Sequence, residues 1–237
     1  MSDQMQQSFA SKANLSYQLS EQLGREIVNG VYQPSAPLPT EAELCEQFGA
    51  SRTAVREAVK MLTAKGLVSS KPRRGIRVSA PDDWNYFDSD VLAWALQGAP
   101  SLNIVKEFFQ LRVAIEPEAA VLATQYGTEI QKTAILDAYE RMKKSGSFTD
   151  EAVHSDLDFH TAVLFATNNR FFIRLKDFIR AALNITVQHT TPANWSYEEV
   201  LLSHERVVKA IINGNVERAR LNMRVLIEDA LMLLDND

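Results

Sequence analysis

The sequence has little cysteine and no long apolar run, and each shortage excludes a class of protein. Its 237 residues include one cysteine, Cys45. No disulfide can therefore form within the chain, and we expect this thiol to fill space on a helix. No stretch approaches the roughly 20 apolar residues that span a bilayer. The polar first 14 residues also lack the basic start and apolar run of a signal peptide. We expect a cytoplasmic protein with no membrane partner.

Basic side chains are concentrated in one part of an otherwise acidic chain. The whole chain has a net charge of −5, whereas residues 51–78 hold eight Lys or Arg and a single acid, Glu57. Residues 1–80 have a net charge of +3 and residues 81–237 a net charge of −8. Because concentrated positive charge attracts anionic polymers, we expect such a partner for the N-terminal third only.

The N-terminal third begins with patterns typical of two helices. Apolar residues recur every four positions and predict a first helix that ends at Gly30. They are Leu15, Leu19, Leu23 and Ile27. The connector that follows contains three prolines and is predicted to be extended, since proline does not fit inside a helix. Thr40 and Glu43 then have the spacing of a capping box, and Gly49 is placed to end the short helix that they begin.

The third predicted helix completes a helix-turn-helix. Ser51 can cap it, and its apolar residues follow the i, i+3, i+4, i+7 pattern until Gly66. Two short helices joined by a glycine-containing turn are typical of this motif. Residues 67–80 have strand formers at both ends and a basic middle, which predicts a hairpin. Three helices and a hairpin predict a winged helix-turn-helix domain over residues 12–80.

The outward face of the third helix is basic. Burial of its apolar stripe leaves four residues facing out, namely Arg52, Thr53, Arg56 and Lys60. Two guanidiniums in the first turns suit bidentate contacts with guanine edges or phosphates, and a recognition helix docks through its first residues. The hairpin adds Lys71, Arg73, Arg74 and Gly75. A solvated face that binds nothing is the alternative, but the coincidence with a winged helix-turn-helix favours double-stranded DNA.

From about residue 101 onward the sequence has helical patterns and no clear strand. Short polar breaks divide it into about six predicted helices between residues 101 and 235, which indicates an all-α second domain. Residues 81–100 are predicted to form a linker with a connecting helix. The predicted fold class is therefore mainly α, with an α+β winged helix-turn-helix followed by a helical bundle.

Three polar residues of the second domain have the chemistry of metal ligands. Asp156 and His160 are spaced i, i+4 and share a helix face, and His204 begins a later helix. A carboxylate with two imidazoles is a plausible first shell for Zn²⁺, Ni²⁺, Mn²⁺ or Fe²⁺. The alternative is an Asp–His hydrogen bond with His204 unrelated. A metal-dependent 2-His-1-carboxylate enzyme acting on a small organic acid is the competing function, although no nucleophile–base set, phosphate loop or dinucleotide fingerprint accompanies it.

Residues 38–78 carry the pattern of a known family. "LPTEAEL", "SRTAVREA" and the glycine-tipped hairpin resemble the winged helix of GntR-family regulators. The resemblance implies DNA contacts at Thr40, Glu41, Ser51, Arg52, Thr53, Arg56, Arg73, Arg74 and Gly75. Ala42 stands where many relatives have arginine, so one contact of those relatives is missing here.

The C-terminal half is similar to the FCD effector domain of FadR-type GntR regulators. The residues that carry the likeness are "LRVAIEPEAAVLA", "DLDFH", "HERVVKAI" and "ARLNMRVLIE". The likeness places Asp156, His160 and His204 at metal-ligand positions, with Leu226 where a fourth ligand is usual. It implies either a divalent metal (Zn, Ni or Mn) with positions open to an effector or water, or a metal-free pocket for an organic acid.

The same resemblance implies a small carboxylate effector. Arg112 would clamp its carboxylate, or form a salt bridge to Glu116 at i, i+4 spacing. Trp195 would flank the pocket or pack elsewhere. The connector "WNYFDSDVLAWAL" resembles that of galactonate-responsive regulators, which implies a sugar acid such as galactonate. We expect a homodimeric repressor that reads a palindromic operator in the bacterial cytosol.

Overall fold

The computed structural model describes residues 2–71, 74–96, 102–180, 183 and 196–233, with side chains from residue 15 to residue 232 within those ranges. Its contacts divide the chain into two compact units, residues 1–95 and 96–237. The structure is mostly helical, with one two-stranded sheet among the described residues. The predicted fold class is confirmed. No described helix combines the length and the apolar character needed to cross a membrane.

The first unit has the order expected of a winged helix-turn-helix. Its elements are α1 (Ser2–Val28), α2 (Glu41–Phe48), α3 (Arg52–Ala64), β1 (Val68–Lys71), β2 (Gly75–Val78), a short 3-10 helix (Pro81–Asp83) and α4 (Ser89–Leu96). The two strands are antiparallel, with Val68 opposite Val78 and Lys71 opposite Gly75. We call the hairpin of residues 68–78 the wing.

The helix boundaries follow the local signals in the sequence. Thr40 and Glu43 form the predicted capping box, in which each side chain binds the backbone N–H of the other residue. Gly49 ends α2 in the left-handed conformation (φ 59°). The hydroxyl of Ser51 accepts from Ala54 N at 3.2 Å and begins α3. These caps place the exposed first turn of α3 directly after the turn of the motif.

The apolar stripes of α1 and α3 form the core of the first unit. Leu19, Leu23 and Ile27 are buried as predicted, and so is the predicted apolar stripe of α3, namely Val55, Ala58, Val59 and Leu62. Leu15 is 39% exposed, so the prediction that it lies on the buried face of α1 is wrong. Val91 and Trp94 of α4 belong to the same core.

The proline-containing connector pairs with the wing. Leu38 N donates to Ile76 O at 2.9 Å, and Val78 N donates to Ala36 O at 3.0 Å. Pro37 forms an antiparallel bridge with Arg77. The predicted extended conformation is present, but its pairing with β2 could not be seen in the sequence, because it joins segments about 40 residues apart.

Gly24 permits close packing between α1 and α4. A Cβ at this position would lie 2.2 Å from a ring carbon of Trp94, whose side chain is buried and has little room to move. Gly24→Ala is expected to destabilise the first unit by about 1–3 kcal/mol, even though alanine is the better helix former. Native-state hydrogen exchange of α1 amides measures this loss, with Gln22→Ala as the control. Unchanged exchange in Gly24→Ala would contradict this packing.

The second unit is a bundle of helices. The described ones are α5 (Leu102–Tyr126), α6 (Glu129–Ser145), α7 (Asp150–Ala166), α8 (Arg170–Arg174), α9 (Tyr197–Ile212) and α10 (Val216–Leu233), with further helical backbone at residues 176–180. Helix α7 packs against α5 and α6, and α10 packs against α5 and α9. This arrangement brings polar residues of α5, α7 and α9 together inside the bundle.

Candidate functional site

The start of α3 presents the basic face that the sequence predicts. Arg52, Thr53 and Arg56 are all exposed. Arg56 Nε donates to Glu41 Oε2 at 2.8 Å, with 63% of the arginine side chain exposed. Because a guanidinium has five N–H donors, the bond to Glu41 orients Arg56 and leaves most of its donors for a partner.

Two other predicted DNA-contact residues have a local role in the fold. Thr40 Oγ1 accepts from Glu43 N at 3.3 Å, and Ser51 Oγ accepts from Ala54 N at 3.2 Å. Both residues are exposed. Their hydroxyls therefore stabilise the ends of α2 and α3, and a DNA contact from either residue would be additional to that function.

The wing presents Arg74 and Gly75 to solvent. Gly75 has a φ of +69°, and a Cβ there would meet nothing within 4 Å among the described residues. The positive φ explains the glycine, since the described residues do not crowd this position. The open space around it leaves room for a phosphate strand to approach. Arg73 lies outside the described residues.

A buried polar cluster lies inside the second unit. Asp156 and His160 project from α7 and His204 from α9, and one ligand atom of each lies within 4.8 Å of the others. We call these three residues the His–Asp cluster. Both histidines are 2% exposed and the Asp156 side chain is 18% exposed. The structure thus brings together the three residues that the sequence singled out as metal ligands.

His204 presents a buried lone pair to this cluster. Its Nδ1 lies 2.8 Å from the carbonyl oxygen of Val200, which can only accept, so Nδ1 carries a proton. Nε2 is buried without an aligned hydrogen-bond partner among the described residues. It is nevertheless 2.9 Å from Asp156 Oδ1. In a neutral imidazole, the lone pair of Nε2 would point at the carboxylate oxygen of Asp156. A cation between the two atoms would stabilise this arrangement.

Arg112 and Glu116 of α5 extend the polar cluster. Arg112 Nε donates to Glu116 Oε1 at 2.5 Å, and the other carboxylate oxygen, Oε2, accepts from His160 Nδ1. The guanidinium also lies 5.1 Å from the centre of the Phe109 ring. The salt bridge considered as an alternative for Arg112 is present, and Arg112 also lines a cavity. The contact between Glu116 and His160 was not predicted, because it joins residues 44 positions apart.

The surroundings hold the carboxylates of both Glu116 and Asp156 in their ionised form. Burial raises the pKa of Glu116, but Arg112 and His160 outweigh it and bring the pKa to about 2. Burial likewise raises the pKa of Asp156, but His160 and His204 in their protonated forms, together with Arg112, outweigh it and bring that pKa to about 2. Together with Arg112 and Glu116, the His–Asp cluster therefore contains two carboxylates that are negatively charged at neutral pH.

A cavity of about 640 Å³ adjoins the cluster. Arg112 and the His–Asp cluster contribute polar groups to its wall, and Ser196, Ser203, Glu199, Arg206 and Asp229 are further polar residues of the lining. Leu226 also lines it, at the position expected for a fourth ligand, and offers no donor atom. Trp195 lies outside the described residues. The volume is within the range of small-molecule sites.

Two protein families match the chain. Residues 15–78 match bacterial regulatory proteins of the gntR family, and residues 107–229 match the FCD domain. The first match covers α2, α3 and the wing. The second covers the helices that carry the buried polar cluster.

Two relatives from Escherichia coli strain K12 match most of the chain. The HTH-type transcriptional regulator YieP is 36% identical over 217 residues, which cover 90% of this chain and 92% of the relative. The galactonate operon transcriptional repressor is 32% identical over 209 residues, which cover 85% of this chain and 90% of the relative.

Solved structures share the fold. Streptococcus agalactiae GntR has a TM-score of 0.52 at 21% identity, with 92% of this chain and 99% of that chain covered. Lar, which controls the expression of the Listeria monocytogenes agr system, has a TM-score of 0.63 at 18% identity, with 93% and 96% covered.

Proposed function

Since the chain belongs to the gntR family of bacterial regulatory proteins and carries an FCD domain, we propose that a sugar acid bound in the second unit controls operator binding by the first. The chain is a DNA-binding transcriptional regulator and not an enzyme, because the matched families and both relatives are regulators. The competing interpretation as a 2-His-1-carboxylate enzyme is therefore wrong.

A divalent metal ion is proposed as part of the effector site. The observation that supports it is the buried Nε2 of His204, which has no hydrogen-bond partner among the described residues and lies beside an ionised Asp156. Asp156 Oδ1 and the Nε2 atoms of His160 and His204 would hold the ion, and this donor set suits Zn²⁺, Ni²⁺ or Mn²⁺. A bound ion supplies a positive centre that attracts carboxylate and hydroxyl oxygens. Because Leu226 cannot ligate, positions stay open for effector oxygens or water.

Galactonate or a related hexonate is the effector that we propose. The support is the 32% identity to a galactonate operon repressor, together with a cavity that combines a cationic group with several hydroxyl and carboxylate groups. Arg112 would bind the effector carboxylate, since a guanidinium matches that group in shape and charge. Trp195 is proposed to flank the pocket.

The first unit is proposed to read a palindromic operator as part of a homodimer. Two winged helices related by a two-fold axis would place two copies of α3 in successive major grooves. The proposed contacts are Thr40, Glu41, Ser51, Arg52, Thr53, Arg56, Arg73, Arg74 and Gly75. We place this activity in the bacterial cytosol, where the DNA lies.

Control by the effector requires linkage between the two sites. If galactonate releases the operator, it must bind the DNA-free arrangement of the protein more tightly than the DNA-bound one. A repressor that dissociates when galactonate accumulates is the simplest function with this property.

The proposal is tested by thermal unfolding of the full-length protein with a series of sugar acids. Galactonate at about 100 times its dissociation constant is expected to stabilise the protein by about 2.7 kcal/mol, and removal of metal with a chelator is expected to abolish the shift. Hexonates of different hydroxyl configuration are the control, with smaller shifts expected. A shift that survives chelation would contradict the metal, and no shift with any sugar acid would contradict the effector.

A further inference from the structure

Glu116 lies at the centre of the buried polar network, and both of its carboxylate oxygens are used. Its side chain is 1% exposed. Oε1 accepts from Arg112 Nε at 2.5 Å, and Oε2 accepts from His160 Nδ1. Since a carboxylate accepts hydrogen bonds and donates none, one ionised group determines where both donors point.

The bond from Glu116 determines which nitrogen of His160 faces the His–Asp cluster. When Nδ1 donates to Glu116, Nε2 keeps its lone pair toward Asp156, whose Oδ1 is 3.8 Å away. His204 is arranged in the same way by the carbonyl of Val200. Unlike the neutral carbonyl that binds His204, the partner of His160 is an anion. An anionic partner makes an imidazole a stronger metal ligand.

Arg112 lies beside His160 without blocking it. Its Nη2 is 3.4 Å from His160 Nδ1 and 3.2 Å from His160 Nε2. These distances are nearly equal, whereas a group on the lone-pair axis of Nε2 would be much farther from Nδ1. The guanidinium is thus held next to the ring with the lone pair of Nε2 accessible. The charge of Glu116 also offsets the arginine charge, which would otherwise repel a divalent ion.

We propose that Glu116 is a positioning residue that prepares His160 to bind a divalent metal ion and holds Arg112 beside it to receive the effector carboxylate. This inference rests on the proposed function of the cavity and extends it to a residue that does not line the cavity. Oε2 binds the proposed metal ligand His160, and Oε1 binds Arg112, the group proposed to bind the effector carboxylate.

Glu116→Gln removes this double function with little change in volume. The amide has one acceptor oxygen, so it can accept from Arg112 or from His160, and its NH₂ group then faces the other donor. Isothermal titration of the metal-free, full-length protein with Ni²⁺ or Zn²⁺ is expected to show about 10- to 100-fold weaker binding than wild type. Galactonate affinity, measured with metal present, is expected to fall as well.

Glu118→Gln is the matched control on the same helix. Glu118 is exposed and forms a salt bridge with Arg220 at 2.7 Å, away from the cavity. This variant is expected to bind metal and galactonate as wild type does. Wild-type metal affinity in Glu116→Gln would overturn the positioning role while leaving the metal proposal intact.

A measurement on the metal-free wild type tests the role of Glu116 independently of metal binding. It also does not depend on whether a variant folds. Nitrogen NMR at pH 8.5 reports which ring nitrogens carry protons. We expect His160 to have a protonated Nδ1 and an unprotonated Nε2. A protonated Nε2 would overturn the proposal, even if the protein binds metal. Failure of the wild type to bind Ni²⁺ or Zn²⁺ would contradict the metal part of the proposed function instead.

Discussion

Operator binding is expected to weaken by about 100-fold or more when Arg52 and Arg56 are both replaced with alanine. Both guanidiniums are exposed at the start of α3, where a recognition helix contacts base edges. One bidentate arginine contact contributes about 1–3 kcal/mol to discrimination, and 1.4 kcal/mol corresponds to a factor of ten. The bond from Arg56 to Glu41 is also lost, but an exposed ion pair contributes about 0–1 kcal/mol to stability, so the fold should persist.

Fluorescence anisotropy measures this effect on duplex DNA selected from random sequences by the wild-type protein. Lys176→Gln is the control, because it removes one exposed positive charge in the second unit. It should bind the selected duplex nearly as wild type does. Galactonate affinity should be unchanged in the double arginine variant. Wild-type DNA affinity in the double variant would show that the first turns of α3 do not contact the operator.

The second large effect is expected at the His–Asp cluster. Loss of a residue that supports a metal ligand weakens metal binding by about 10- to 100-fold. His204→Ala removes a ligand itself, so we expect a larger loss of divalent-metal affinity. Leu226 contributes no donor atom, so the described residues offer three ligands and the variant retains two of them. The variant also leaves the ionised Asp156 without the imidazole 2.9 Å away. The galactonate-induced rise in thermal stability should disappear with the metal.

His154→Ala is the matched control for His204→Ala. His154 lies on α7, two residues before Asp156, but it is exposed and its Nδ1 contacts Asp150 O at 2.6 Å. Isothermal titration with Zn²⁺, Ni²⁺ and Mn²⁺ should give wild-type affinity for this control. Circular dichroism checks that each variant folds. If His204→Ala binds metal as tightly as His154→Ala does, the cluster is not the metal site.

Local signals in the sequence predicted much of the first unit correctly. The capping box of Thr40 and Glu43 and the cap at Ser51 involve residues three positions apart, so their pattern is visible without knowing the fold. The stripe of α1 was extended one turn too far, to Leu15, because periodicity does not show where packing against other helices ends. The pairing of residues 36–38 with β2 depends on tertiary contacts that leave no periodic pattern.

The candidate site was only partly predictable for the same reason. Asp156 and His160 are four residues apart on one helix, so their shared face follows from helix geometry. His204 lies on another helix, and its link to them came from family resemblance. The role of Glu116 had no sequence signal beyond its spacing from Arg112, since its bond to His160 depends on how α5 packs against α7. The positions of Arg73 and Trp195 stay predictions.

The most direct test of the account is the release of operator DNA by galactonate in the presence and absence of bound metal. The DNA is the duplex selected by the wild-type protein, and anisotropy is followed as galactonate is added. Galactonate is expected to release the DNA from the metal-loaded protein, whereas the chelator-treated protein should stay bound until metal is restored. DNA binding that is unaffected by galactonate with metal present would contradict the claim that this cavity controls the winged helix-turn-helix.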